Sequence, residues 1–295
     1  MAKLPLTFRQ SLTAAALIGT MAFLLAENNI VGQAVQEGLL LCARSVIPAL
    51  FPFFAVVSLA IGCNFFGILR AWGLPVSAAA FVLGFIGGYP VGVRTVGELY
   101  RRGELTKQQA ENLLCCCNNA GPSFIFGIAG AGVFHSGRMG MALYGIHIAS
   151  ALITGALLRH DTEPERQALP QRKNISLPQA LVSAVRSAAE SMLYVCAFVV
   201  FWLALTALIA ELTGFTHPLL FGALELTGGI LRLEADRMGF VMAAGLLGWG
   251  GVSVHCQTAA VLDGTGLPMG RYLLAKALQG SISMTLAWVI SRFLF

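Results

Sequence analysis

Apolar residues in this chain come in long blocks, with no period-2 alternation of the kind strands show. Blocks at 11–26, 45–62, 108–134, 139–158, 190–210 and 268–291 approach or exceed the roughly 20 residues a helix needs to cross a bilayer. Three shorter blocks, at 77–88, 218–231 and 238–249, are too short to cross comfortably and predict re-entrant or half-helix segments. Each ends in a glycine pair: Gly87-Gly88, Gly228-Gly229 and Gly250-Gly251. One hydrophilic loop, 159–176, divides the chain into two halves. After it, Leu177, Leu181 and Val185 set against Arg186 predict an amphipathic helix over 177–189 lying on the membrane surface. The first block follows Lys3 and Arg9 and has no small-x-small cleavage site behind it, so it reads as a retained first span.

Two glycine-rich stretches match at a shift of 163 positions. Gly87, Gly88, Val91, Thr95, Leu99 and Gly103 fall on Gly250, Gly251, Val254, Thr258, Leu262 and Gly266 without a gap. Short, Gly- or Pro-broken segments in corresponding parts of two halves point to a transport site. The expected fold is therefore all-α and polytopic, an inverted-topology repeat with re-entrant helical hairpins. Half 1 covers 1–158 with its hairpin at 77–103, the linker is 159–176, and half 2 covers 177–295 with its hairpin at 238–264.

Composition agrees with the blocks. The 295 residues are 57% hydrophobic and 11% charged, with a mean hydropathy of +0.75, whereas a soluble domain carries about 25% charged residues. The net charge of +5 sits in loops and suits an anionic inner leaflet, with no basic, aromatic-interleaved stripe for nucleic acid. Lys3, Arg9, Arg70, Arg101, Arg102, Lys107 and the 159–173 cluster place those loops in the cytoplasm of a bacterial cell membrane, against Arg138, Arg232 and Arg237 on the other side. The seven cysteines form no CxxC pair and read as small buried hydrophobes, and no metal spacing or cofactor motif occurs.

Polar residues inside apolar blocks carry the candidate chemistry. Asn118, Asn119 and Ser123 flank a break forced by Pro122. They either bind a polar ligand or cap the broken helix. Glu225 is a carboxylate inside an apolar segment, where it costs roughly 2.5–3.5 kcal/mol on insertion scales. It can hold ligand, cation or proton, or else serve Arg232 or a helix N-terminus. His255, Gln257 and Thr258 follow the Gly250-Gly251 break. Arg94 and Glu98 are spaced to pair on one helical face, and Thr106 with Gln109 forms a capping-box pattern.

These segments resemble the nucleoside recognition, or Gate-domain, membrane proteins, and within them the YlbJ-type sporulation integral membrane proteins. The likeness rests on the runs 84–92, 103–106, 118–122, 224–230 and 250–257, and covers most of 40–292. It implies a scaffold like the core of concentrative nucleoside transporters, with hairpin-tip residues on the ligand. In those transporters a Gln-Thr-Glu tip contacts the ligand, whereas here Ala259 follows Gln257-Thr258 and the nearest acidic stand-in is Glu225. The combined expectation is a non-enzymatic permease for a small polar solute, with Na+ or H+ as coupling cation. Its binding set is Gly88, Tyr89, Asn118, Asn119, Ser123, Glu225, Thr227, His255, Gln257 and Thr258. Related scaffolds assemble as oligomers, so a homo-oligomer is expected by analogy. The alternative is a membrane factor for spore-envelope assembly that transports nothing and acts through the linker.

Overall fold

The computed structural model describes residues 8–63, 65–73, 75–160 and 176–295, and these are helical with no strand among them. The chain runs α1 (Phe8–Ala26), α2 (Asn28–Leu41), a π-helical turn (Cys42–Val46), α3 (Ile47–Gly62), α4 (Phe65–Ala71), α5 (Val76–Gly87) and α6 (Val91–Arg101). It continues through α7 (Lys107–Cys117), α8 (Pro122–Phe124) running into a π-helical stretch (Ile125–Val133), and α9 (Gly137–Leu157). The second half holds α10 (Leu177–Thr213), α11 (Pro218–Leu224), α12 (Leu226–Leu231), α13 (Arg237–Trp249), α14 (Gly251–Leu262) and α15 (Gly270–Leu294).

Among the described residues six helical stretches are long and apolar enough to cross a membrane: Asn28–Gly62, Lys107–Val133, Gly137–Leu157, Leu177–Thr213, Arg237–Leu262 and Gly270–Leu294. Their outward faces carry large apolar side chains such as Val56, Leu157, Leu193, Phe201 and Phe293, more exposed apolar surface than a water-soluble monomer shows. This is a multi-pass membrane protein. The two spans that contain a break are also the most enclosed. Their apolar windows are 67% and 78% buried, against 22–39% for the other four. A helix break at membrane depth is tolerated only where protein or a watery cavity covers it.

Four boundaries differ from the sequence reading. The 11–26 block, expected as a retained first span, forms a shorter apolar helix outside the six, and the 238–249 block, expected as a re-entrant or half-helix piece, is part of the span Arg237–Leu262. The 27–44 stretch between the first two blocks is interrupted only at Glu27, and α2 runs unbroken through the π turn into α3. The 177–189 segment is not a separate surface helix. No Gly or Pro occurs between Gln179 and Thr213, so it continues into one 37-residue helix, α10, about 55 Å long against a hydrocarbon core of about 30 Å. Ser176 and Gln179 cap its start reciprocally, and Gly214 ends it in the left-handed conformation. The expected capping box at Thr106 and Gln109 also forms, with bonds of 3.2 and 2.8 Å. The 161–175 part of the linker lies outside the described residues.

The chain folds back on itself tightly at two places. A Cβ built on Gly84 would come within 3.3 Å of the Gly92 Cα, and one on Gly229 within 2.0 Å of the Gly222 Cα. The first contact locks α5 against α6, and the second locks α11 against α12. Each fold-back then receives a helix break. Gly121 rests on Gly88, and Gly251 lies against Leu226 and the Gly222 carbonyl. The Cys117 carbonyl, at the end of α7, sits where a Cβ on Gly84 or Gly92 would be, at 2.1 and 1.8 Å. The 238–264 stretch consists of α13 and α14 joined at Gly250, where α13 packs on α15 and α9 while α14 packs on α10, α6 and α11.

These contacts set an expected outcome. Gly92→Ala drives a methyl into a fixed carbonyl and should lower the melting temperature in detergent sharply or abolish recovery of folded protein. Gly97→Ala, on the same helix with its nearest atom at 3.6 Å, should be neutral or gain up to about 1 kcal/mol from helix propensity.

Candidate functional site

The two fold-back tips and the two breaks meet around one open cavity. Val46, Leu50, Phe124, Val195, Val199, Leu226 and Val254 give it apolar walls. Its polar lining comes from Tyr89, Glu225, Thr227, Ser253 and Gln257. Four of the ten predicted site residues, Tyr89, Glu225, Thr227 and Gln257, are therefore brought together on it.

Glu225 sits between α11 and α12 in extended backbone and is 2% exposed. Its carboxylate accepts the Thr227 N–H at 3.0 Å and the Gly228 N–H at 2.6 Å. It thus caps α12, where amide donors and the positive end of the helix dipole favour a negative charge. Arg232 lies over the Phe221 ring at 4.6 Å. Gln257 makes one long contact, Nε2 to the Ser253 hydroxyl at 3.4 Å. Its amide is otherwise available to the cavity.

Behind the cavity lies a dense polar network. Asn118 Nδ2 donates to the Tyr272 hydroxyl at 2.8 Å and the Thr258 hydroxyl at 3.0 Å. Thr258 donates to Tyr272 at 3.2 Å, and Tyr272 faces His255 Nδ1 at 3.1 Å. Asn119 gives its amide N–H to the Cys116 carbonyl and accepts Gln279 Nε2 at 3.0 Å. Lys276, 1% exposed, donates to the Asn118 carbonyl at 2.9 Å, Gln279 Oε1 at 2.7 Å and the Tyr89 hydroxyl at 3.4 Å. The Tyr89 hydroxyl donates its own O–H to the Leu247 carbonyl at 2.8 Å. His147 Nε2 accepts the Ala120 N–H at 3.0 Å. Asn118, Asn119, His255 and Thr258 therefore serve the break and its supports and do not line the cavity. Gly88 forms the first tip under Gly121 with φ +75°. Ser123 lies half-buried one turn past the break, away from the cavity lining.

The expected Arg94–Glu98 pair does not form. Glu98 pairs with Arg102 at 2.8 Å on the surface. The Arg94 guanidinium instead crosses to α10, donating to the Ser187 carbonyl at 3.2 Å, the Ser191 hydroxyl at 2.8 Å and the Ser187 hydroxyl. A cation that finds three oxygens on a packed helix is better satisfied there than by an exposed i,i+4 partner worth a few tenths of a kcal/mol.

A curated relative aligns along most of the chain. "Sporulation integral membrane protein YlbJ" of Bacillus subtilis (strain 168) is 27% identical over an alignment covering 87% of this chain and 77% of the relative. The chain is similar to that protein along most of its length. No family model matches it, and no solved structure matches it.

Sequence reasoning missed the α15 side of the site. Tyr272, Lys276, Gln279 and Ser283 are spaced four, three and four apart, which puts them on one helical face. All are buried against the Asn118–Gly121 break and α9. Lys276 inside the 268–291 block carried the needed signal, since an ionisable residue at membrane depth is a functional candidate by default.

Glu225→Gln replaces one acceptor oxygen with an NH2 facing a backbone donor. It should therefore destabilise the protein by about 1–3 kcal/mol, and Glu225→Ala, which leaves both the Thr227 and Gly228 N–H groups without a partner, by at least as much. Denaturant or thermal unfolding in detergent reads both.

Proposed function

We propose that this chain is a permease for a small polar solute in a bacterial cytoplasmic membrane, with the solute held at the paired tips near the bilayer midplane. The observation that carries the reading is the cavity where Glu225, Thr227 and Gln257 meet Tyr89 and the Gly121 break. Discontinuous helices from two halves meeting at one cavity are the site design of secondary transporters. The likeness to Gate-domain proteins supports the same scaffold.

In this reading the repeat unit is a span, a fold-back, a broken span and a span. The first copy is α2–α3, α5–α6, α7 with its π continuation, and α9. The second is α10, α11–α12, α13–α14 and α15. We assign the second hairpin to α11–α12, in place of 238–264, because α11 and α12 lock at Gly222 and Gly229. Glu225 then becomes the counterpart of the Gly88-Tyr89 tip, and Gly250-Gly251 the counterpart of the Asn118–Gly121 break. The 163-position match thus pairs a tip with a break. The first copy makes three crossings, an odd number, so in this reading the second copy enters from the opposite face and the topology is inverted.

The cavity chemistry narrows the solute. Apolar walls take an apolar body, while the Glu225 carboxylate and the Gln257 amide oxygen accept from hydroxyl or amine donors. A donor-bearing, partly apolar small molecule fits, and nucleosides are one class of that kind.

A second reading has its own support. The relative's name speaks of sporulation, and a factor for envelope assembly would act through protein partners at the 159–176 linker. Scrambling 160–175 at constant charge abolishes function in that reading, while cavity substitutions are tolerated.

A thermal-shift panel of nucleosides, nucleobases, amino acids and small amines on the detergent-purified protein tests the first reading. Ligand at a hundredfold excess over Kd adds about 2.7 kcal/mol, which shifts a protein of this size by several degrees. Gln257→Ala should remove that shift with little change in the ligand-free melting temperature. A panel with no hit on folded protein favours the assembly reading.

A further inference from the structure

We propose that the Lys276 ammonium is a tethered cation filling a monovalent-cation site, so that the protein needs no free sodium ion at the break in α7. The inference deepens the transport reading and rests on it for its meaning, but the site itself is testable without any solute.

The position is one that selects cations. Asn118 is the residue that ends α7. The last carbonyls of a helix carry the negative end of its dipole. Unwound carbonyls and the C-terminal ends of half-helices are where secondary transporters hold Na+. Lys276 Nζ occupies that position, with the Asn118 carbonyl at 2.9 Å, Gln279 Oε1 at 2.7 Å and the Tyr89 hydroxyl at 3.4 Å. An ammonium has three donors, and three oxygens receive them. Those three partners are neutral oxygens, as in the carbonyl cages that replace an alkali ion's hydration shell.

Two further features mark a built site. Gln279 cannot turn its oxygen away, because its Nε2 is held by Asn119 Oδ1 at 3.0 Å. A fourth oxygen, Asn118 Oδ1, is buried at the same break and has no hydrogen-bond partner. The cation joins three elements that alternating access would move relative to one another: the α5–α6 tip through Tyr89, the α7 break through Asn118, and α15 through Gln279. In sodium-driven scaffolds a diffusible ion makes that link. Here the chain supplies it, and a lysine cannot leave with the solute. Sodium coupling at this position is thereby replaced by a group tethered to the chain.

The test is thermal unfolding of solute-free protein in NaCl and in choline chloride at equal ionic strength. Wild type should melt at the same temperature in both salts. Lysine removal in Lys276→Ala leaves the oxygens and opens room for an ion. That variant should melt lower than wild type in choline and recover by at least about 3 °C in sodium. Lys276→Met fills the space with an apolar chain and should not recover. Sodium-specific stabilisation of wild type would overturn the proposal, because a free ion would then be needed after all. Equal melting of Lys276→Ala in the two salts, or its aggregation in both, would overturn it as well. A silent solute panel would leave these outcomes unchanged, so failure of the transport reading is separable from failure of the cation site.

Discussion

A helix broken inside an apolar slab exposes backbone groups that lipid cannot satisfy, and this chain is organised around meeting that demand from within. The break at Asn118–Gly121 frees the Asn118 carbonyl and the Ala120 N–H. Lys276 from α15 satisfies the first and His147 from α9 the second. Each of these supports is itself anchored, Lys276 by Gln279 and Gln279 by Asn119. The penalty for an orphaned amide or carbonyl in such surroundings is several kcal/mol. The break therefore dictates which residues α9 and α15 must present and which faces they bury.

The same demand explains the glycines. A carbonyl at a helix end must be covered, and only a backbone without Cβ lets it nest between two antiparallel helices. The Cys117 carbonyl sits between Gly84 and Gly92 for that reason. The Gly222–Gly229 contact brings α11 and α12 close enough for Glu225 to cap one of them inside the protein. Close packing of small residues replaces the hydrophobic effect as the adhesive between helices in lipid. The fold-backs are accordingly the points least tolerant of added volume.

Much of this was legible in the sequence. The apolar blocks placed five of the six spans, the sixth, Arg237–Leu262, having read as a short block while 11–26 fell short of one; Gly87-Gly88, Asn118–Pro122 and Gly250-Gly251 each marked a real interruption. What a glycine pair does there was not legible. Gly87-Gly88 lies at a chain reversal, whereas Gly250-Gly251 joins α13 to α14, which pack on different neighbours. The dipeptide is the same in both, and only tertiary contact distinguishes them. Element length was lost where polarity misled. Asn28, Asn29, Gln33, Gln36 and Glu37 keep α2 out of the apolar blocks, yet none of them stops a helix. Lys276 escaped for a different reason. It lies six residues inside the start of α15, within reach of the interface for a snorkelling side chain. Sequence alone does not separate a lysine that snorkels outward from one turned toward the break.

The division between cavity and network bears on which buried positions tolerate change. Asn118, Thr258, Tyr272 and His255 are bonded to one another, and Asn119 is tied to Gln279. Altering any of them leaves a buried partner unsatisfied, with the full desolvation penalty. Gln257 and Ser253 face the cavity with few such obligations. Substitution at those two disturbs the supports of the breaks least. Glu225 belongs to both groups, as cap and as cavity wall, so a carboxylate there is demanded by the fold whatever the solute is. A buried charge at such a tip is therefore weaker testimony to ligand chemistry than the uncommitted amide two turns into α14.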